Sequence, residues 1–410
     1  MSRPTTIDAA DAAGPRALPR TLAGATVLQI VASLGDTPKA RAAVNVARAL
    51  VQVGARAIVA GERGELIEDL ESFGGEWLPF TTVGLNPRKR RTNADALDQF
   101  VRAERVDVIH ARHTAAARVA QATTQRNRFH LVTELPDLSP ARLRIAAFSL
   151  SAVGRGDRII APSMFAAQPV IARQRIAPER VSVVPRSLDL AYFDPTSVPP
   201  DRIAHLRQTW GIPHGARIAL VPGLIAPQNG HLVLVQAARI LADGGLRDVT
   251  FVLAGDDQRH RRFARKFWKR ARAAGVDALF RMVGEHPDSA ANYAAADLVV
   301  VPYSAAPIDS RVTAEAQAMA RPVIASALGA LPESLLAPPR IAEELRTGWE
   351  VAPNNAAELA AAIAAGFALN PDAYRAHAAR ARQFAEYMFS PQRANAATLE
   401  VYASLLDSDD

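Results

Sequence analysis

Residues 297–333, DLVVVPYSAAPIDSRVTAEAQAMARPVIASALGALPE, constrain the fold more than any other stretch. Two near-continuous apolar runs, 297–302 and 322–326, read as strands buried on both faces, which is the pattern of parallel strands. Between them lie a polar loop and a helical segment over 311–320, so the unit is a βαβ crossover. The loop after the first strand enters the helix at Asp309-Ser310-Arg311. The free N–H groups and dipole of a helix start favour an anion such as phosphate. Glu315 follows one turn later, which points to an anionic ligand with polar groups beyond its phosphate.

The same alternation runs through the rest of the chain. Strands are expected over 25–31, 55–60, 77–80, 106–110, 129–133 and 157–161, with helices over 41–53, 66–73 and 94–104. It restarts with strands at 217–221, 249–254 and 279–283 and helices at 230–242 and 259–274. Helices at 356–367, 371–388 and 391–406 close the chain. Two doubly wound α/β domains follow from this pattern. The Pro-rich end of residues 181–200 suits a linker. The expected organisation is a disordered leader over 1–22, an N-terminal domain over 23–195, a second domain over 196–375, and C-terminal helices over 376–410 that return to the first domain. The run 22–34 has the look of a signal-peptide core, but the Gly loop and helix that follow favour a first strand.

Composition narrows the chemistry. With no cysteine, disulfides, thiolate metal sites and Cys nucleophiles are excluded. No run of eighteen uncharged apolar residues occurs, so no membrane-spanning helix is expected. The loop after the first strand, Ser33-Leu34-Gly35-Asp36, lacks a GxGxxG dinucleotide fingerprint. Net charge is +7, which attracts phosphates, nucleic acid or an anionic membrane.

The run EAQAMARPVIA (315–325) resembles the donor-site signature of GT-B glycosyltransferases of family 4, also called group 1. Weaker matches extend the resemblance over about 25–390. They are DRIIAPS (157–163), PERVSVVPRSLD (178–189) with Phe193-Asp194-Pro195, and TGWEV (347–351). The resemblance implies a GT-B fold, with two Rossmann-like domains facing an interdomain cleft. It implies retaining transfer from a nucleotide sugar, as substrate, without a metal or other cofactor. Glu315 would bind the ribose hydroxyls, while Ser310, Arg311 and Val312 would present N–H groups to the distal phosphate. Val283, Gly284 and His286 would hold the base, with Gly223 and Gly329 in the flanking turns. Gly35, Arg112 and Arg186 are the candidates on the acceptor side. No catalytic side chain is identified.

The departures from the family pattern are specific. Leu224 and Asn229 stand where an Arg and a Lys grip the diphosphate, and Pro307 stands where a first Glu holds the sugar. The Gly-Gly turn is Leu328-Gly329, and LVTELP (131–136) lacks the histidine of the acceptor domain. Either Arg112, Arg186 and Arg311 rebuild the site or the reaction is lost. The leading expectation is a cytoplasmic enzyme, peripheral on the inner membrane face, that glycosylates an envelope glycan or lipid-linked acceptor. The alternatives are a catalytically silent GT-B binding partner and another GT-B enzyme such as an epimerase. Residues 88–91, expected in a loop, and 259–272 are strongly basic. The latter read as an amphipathic helix packed on the sheet or as a contact for an anionic membrane. No nucleic-acid-reading module is visible.

Overall fold

In the computed structural model, which describes residues 22–82, 87–124, 129–136, 151–213 and 215–407, every strand pairing is parallel. The expected leader lies outside these residues except for Leu22. The first sheet contains β1 (Thr26–Ser33), β2 (Arg56–Glu62), β3 (Glu76–Pro79), β4 (Val108–Ala111), β5 (His130–Glu134), β6 (Arg158–Ala161) and β7 (Val181–Val183). Their order is β3-β2-β1-β4-β5-β6-β7. The second sheet contains β8 (Arg217–Pro222), β9 (Val249–Ala254), β10 (Phe280–Met282), β11 (Leu298–Val301), β12 (Val323–Ser326) and β13 (Gly348–Val351). Its order is β10-β9-β8-β11-β12-β13. Both sheets reverse direction beside their first strand, and that switch point is where open α/β sheets bind ligands.

Helices fill the crossovers. They are α1 (Pro38–Gln52), α2 (Ile67–Ser72), α3 (Pro87–Ala103), α4 (Thr114–Thr124), α5 (Met164–Gln174), α6 (Pro200–Thr209) and α7 (His231–Asp243). After them come α8 (Arg261–Ala273), α9 (Ser289–Ala294), α10 (Arg311–Ala318), α11 (Ala356–Phe367), α12 (Pro371–Met388) and α13 (Pro391–Leu406). Strand side chains alternate between two cores in each sheet. In β8, Ile218 and Leu220 enter one cluster and Ala219 and Val221 the other.

The chain divides into two compact units: Leu188–Ser390, and the described residues of 22–187 together with 391–407. These boundaries differ from the expected 195/196 and 375/376 for a packing reason. Leu188 N–H donates to the Phe389 carbonyl at 2.8 Å, and Phe193 joins the core that contains Tyr293. Arg382 of α12 donates to the Phe193 carbonyl. Residues 188–195 and the whole of α12 therefore belong with the second sheet, while α13 packs on α1 in the first unit. The stretch read as linker contributes β7, and α6 begins at Pro200.

A second correction concerns the basic run 88–91. It lies in α3 instead of a loop, because Pro87 opens that helix, where a fixed φ and missing N–H are tolerated.

Candidate functional site

Gly223, Ser310, Arg311, Val312 and Glu315 lie on the segments that follow β8 and β11, the switch pair of the second sheet. β8 ends at Pro222, and Gly223 turns the chain with φ +109, a conformation that a side chain would strain. β11 ends at Val301, and Tyr303 follows it directly. A Cβ on Gly223 would lie 3.5 Å from the Tyr303 hydroxyl and 3.5 Å from Asn229 Nδ2. The loops after neighbouring strands β8 and β11 therefore meet, and α10 starts just beyond.

α10 begins without a side-chain cap. Ser310 is the N-cap residue, yet its hydroxyl bonds no helix N–H. The first N–H groups, including those of Arg311 and Val312, lack an intrahelical partner by the geometry of any helix start. Glu315, one turn in, is 7% exposed. Its Oε2 accepts from the Tyr293 hydroxyl at 2.8 Å and its Oε1 accepts from Arg311 Nε at 2.6 Å. Burial raises the Glu315 carboxyl above its ordinary value, and the bonds from Arg311 and Tyr293 offset this only in part. Burial also drives the Tyr303 hydroxyl up to about 12, helped by the charges of Asp309 and Glu315. The result is an uncapped helix start beside a buried carboxylate with one cation. An anion fits the first and hydroxyl donors fit the second.

Asn229 and Pro307 are bonded into this rim. Asn229 Nδ2 donates to the Leu224 carbonyl at 2.8 Å, so the amide braces its own loop. Pro307 accepts from Ala330 N–H at 3.0 Å. Gly329, at φ +64, lies so close beneath Pro307 that a Cβ would approach the Pro307 carbonyl oxygen within 2.4 Å. The proline and the single glycine of the turn are thus fitted to each other.

Val283 packs at the edge of the core, and Gly284 turns with φ +76 in open space. His286 Nδ1 accepts from Asp288 N–H at 3.2 Å, beside the Asp288 side chain that caps α9 through Ala291 N–H. His286 therefore has a local role in closing its turn.

In the other unit, Gly35 and Arg112 follow β1 and β4, the switch pair of that sheet. Arg112 is 6% exposed and donates through Nη1 to Glu134 at 3.0 Å and through Nε to Gln29 at 2.9 Å. Glu134 Oε1 also lies 3.3 Å from His110 Nε2, and His110 Nδ1 is 2.6 Å from the Tyr402 hydroxyl of α13. Burial pushes Glu134 upward, but Arg112, His110 and Lys39 outweigh it and hold the carboxyl at about 2. Arg112 and Arg186 line one cleft of about 100 Å³ with Lys39, Glu134 and Asn395, whereas Gly35 does not line it. Arg112 and Arg311 are each bonded to a carboxylate, so neither is an unengaged substitute for the replaced Arg and Lys.

Sequence reasoning missed Tyr293, Tyr303, His110 and Tyr402. Tyr303 had a signal, being a residue with a polar tip directly after a buried strand. Tyr293 and Tyr402 had none, because their partners are 22 and 292 residues away. Among the described residues, no cluster of three or more His, Cys, Asp or Glu is arranged to hold a metal.

Comparison with known proteins places both units. Residues 216–367 match the family model for glycosyl transferases group 1, and residues 40–192 match that for glycosyltransferase family 4. A glycosyltransferase from Rickettsia africae has the same fold, with a TM-score of 0.75 and 24% identity over 93% of this chain and 99% of that one. Anabaena HepE in complex with UDP and glucose superposes with a TM-score of 0.67 at 21% identity, covering 92% and 99%. The chain has the GT-B fold, and over both units it resembles the family 4, group 1 glycosyltransferases. Among curated relatives, D-inositol 3-phosphate glycosyltransferase 1 of Catenulispora acidiphila is 31% identical over 55% of this chain and 57% of its own length. The lipopolysaccharide 1,2-N-acetylglucosaminetransferase of Salmonella typhimurium is 31% identical over 44% and 46%. The chain spans about half the length of the curated relatives it matches.

Proposed function

We propose that this protein is a glycosyltransferase that moves a sugar, with retention, from a nucleotide-sugar donor to an envelope glycan or lipid-linked acceptor on the cytoplasmic side of a membrane. The observation that carries this reading is Glu315, buried one turn into an uncapped helix at the switch point of the second sheet. Ribose hydroxyls are the fitting partners for that carboxylate, and the start of α10 suits the diphosphate. The activities of the curated relatives and the UDP in the HepE structure support the same ligand class. Preorganised N–H donors also stabilise the charge that develops on a departing nucleoside diphosphate.

A second reading, a silent GT-B binding partner, draws on Leu224, Asn229 and Pro307. Asn229 and Pro307 are engaged in the rim by the contacts described above, which supports a loop that holds its shape without the cations and carboxylate of the family pattern. Calorimetric titration with a panel of nucleotide sugars separates the two readings. Sub-millimolar binding followed by sugar transfer or donor hydrolysis supports the enzyme. No heat with any nucleotide at millimolar concentration sinks it and leaves the binding partner.

A further inference from the structure

Eight of the 48 cationic residues and none of the 41 acidic ones fall in residues 259–272, leaving forty cations against forty-one acids in all the rest of the chain. The whole positive charge of this protein is thus held by one helix and the residues that lead into it. In α8, Phe263, Ala264, Phe267 and Ala271 are buried against β9, β10 and α7. Arg261, Arg262, Arg265, Lys266, Lys269, Arg270 and Arg272 are all exposed. At helical spacing these seven cover one continuous half of the circumference. No acidic side chain pairs with any of them among the described residues.

Local helix energetics oppose this arrangement. Like charges recur at i, i+4 in the pairs 261/265, 262/266, 265/269 and 266/270, and such pairs destabilise a helix. Arg261 and Arg262 sit in the first turn, where the dipole disfavours cations, and His260 supplies no side-chain cap. The apolar face alone already fixes α8 to the sheet. Only Arg270 and Arg272, in the last turn, are favoured by the helix dipole, and the remaining cations of the face have no partner within the fold that accounts for them.

We infer that the exposed face of α8 docks this protein onto an anionic phospholipid surface. The partner must be broad, because the charge extends over half the helix girth and along about 20 Å of axis. Clusters of four to eight Lys and Arg on an amphipathic helix have this affinity for anionic headgroups. Trp268, half-buried against Phe267 at the margin of the cationic arc, is the kind of aromatic that rests at headgroup level. A duplex or folded RNA fits less well. The exposed arc has no Asn or Gln to read adenine and no fully exposed aromatic to stack on a base, so a nucleic acid would meet it mainly through phosphates.

The test uses the full chain and vesicles of phosphatidylcholine with or without phosphatidylglycerol, and it does not depend on sugar transfer. The protein should sediment with phosphatidylglycerol-containing vesicles, be released as salt rises, and ignore pure phosphatidylcholine. Arg265→Gln with Lys269→Gln and Arg272→Gln should lower vesicle affinity about a hundred-fold, at about five-fold per lost charge. The unfolding temperature should stay unchanged. Arg265→Lys with Arg272→Lys should keep binding, because charge and not guanidinium geometry is what counts. Equal sedimentation with neutral vesicles, or undiminished binding by the triple glutamine variant, overturns the inference. Tighter binding to an RNA or DNA oligonucleotide than to vesicles of equal phosphate concentration also overturns it, and gives the face to nucleic acid.

Discussion

The two units each set a glutamate against an arginine beside a sheet switch point, and the two carboxylates behave in opposite ways. Glu134 is surrounded by Arg112, His110 and Lys39, and together these overcome the cost of burial. Glu315 has only Arg311 and the Tyr293 hydroxyl, the nearby Asp309 works against it, and burial prevails. The arginines differ as well: Arg112 is 6% exposed, whereas the Arg311 side chain is 49% exposed. Glu134 is the satisfied member of a closed network that ties α13 to β4 and β5. Glu315 has one bond to each oxygen, from Tyr293 and Arg311, and stands beside a helix start with no side-chain cap. A carboxylate whose charge is outweighed by its cations serves the architecture of its own unit, whereas one that burial leaves raised at a switch point is where the donor-binding proposal is best tested.

The same substitution at both positions gives the sharpest contrast. Glu134→Gln leaves Arg112 buried without a counter-charge, a change that costs about 3 kcal/mol or more. Thermal or urea unfolding should show that loss with nucleotide affinity intact. Glu315→Gln keeps an acceptor for Tyr293, removes a charge that burial already disfavours, and leaves Arg311 half in water. Its stability should change by less than about 1 kcal/mol. The effect is expected in binding instead, where nucleotide affinity should fall about ten- to a hundred-fold as charged hydrogen bonds to ribose are lost. Equal destabilisation by both variants would break the comparison.

Acid should separate the two units in the same direction. Glu134 has a folded pKa depressed from 4.5 to about 2, so the stability it contributes is present above pH 4.5 and is lost as pH falls toward 2. Glu315 has a raised folded pKa, so its ionised form is lost at a higher pH than that of an ordinary glutamate. Affinity for a nucleotide sugar, whose diphosphate has no second ionisation near neutrality, should therefore decline while the first unit is still fully stable. The decline should vanish in Glu315→Gln. A binding profile that is flat down to pH 4.5 in the natural protein would remove Glu315 from the site.

Much of this was legible in the sequence because it is periodic or contiguous. The strands of both sheets are apolar runs, and α11, α12 and α13 end where the pattern ends. The sequence Asp309-Ser310-Arg311 with Glu315 one turn on placed the helix start and its carboxylate. The rest depended on long-range pairing. Nothing near His110 announces Tyr402, and nothing near Glu315 announces Tyr293. The Pro-rich composition of 181–200 points to a boundary near 195, whereas Leu188 bonded to Phe389 and Phe193 packed by Tyr293 set it at 187/188. The basic run 88–91 reads as a loop by its charge, yet Pro87 before it opens α3.

The smallest expected effect tests what Tyr293 does for the ionisation of Glu315. Tyr293→Phe keeps the ring, which is 2% exposed and packs edge-on to Phe193 at 6.2 Å, and removes only the hydroxyl. The hydroxyl donates to Glu315, so it favours the ionised carboxylate. Its loss should cost about 1–2 kcal/mol of stability, the usual worth of one hydrogen bond to a charged group less the gain from no longer burying a polar atom. The more telling consequence is on protonation. With one fewer donor, Glu315 should bind its proton more tightly, and the pH at which nucleotide affinity declines should move upward. At a pH well above that decline, affinity should be almost unchanged, because Tyr293 stabilises the carboxylate without being assigned to the nucleotide. A fall in affinity that is equal at all pH values would show that Tyr293 touches the ligand itself. An unmoved profile would show that Arg311 alone sets the ionisation of Glu315, and the contrast with the many-partnered Glu134 would then rest on a single arginine in each unit.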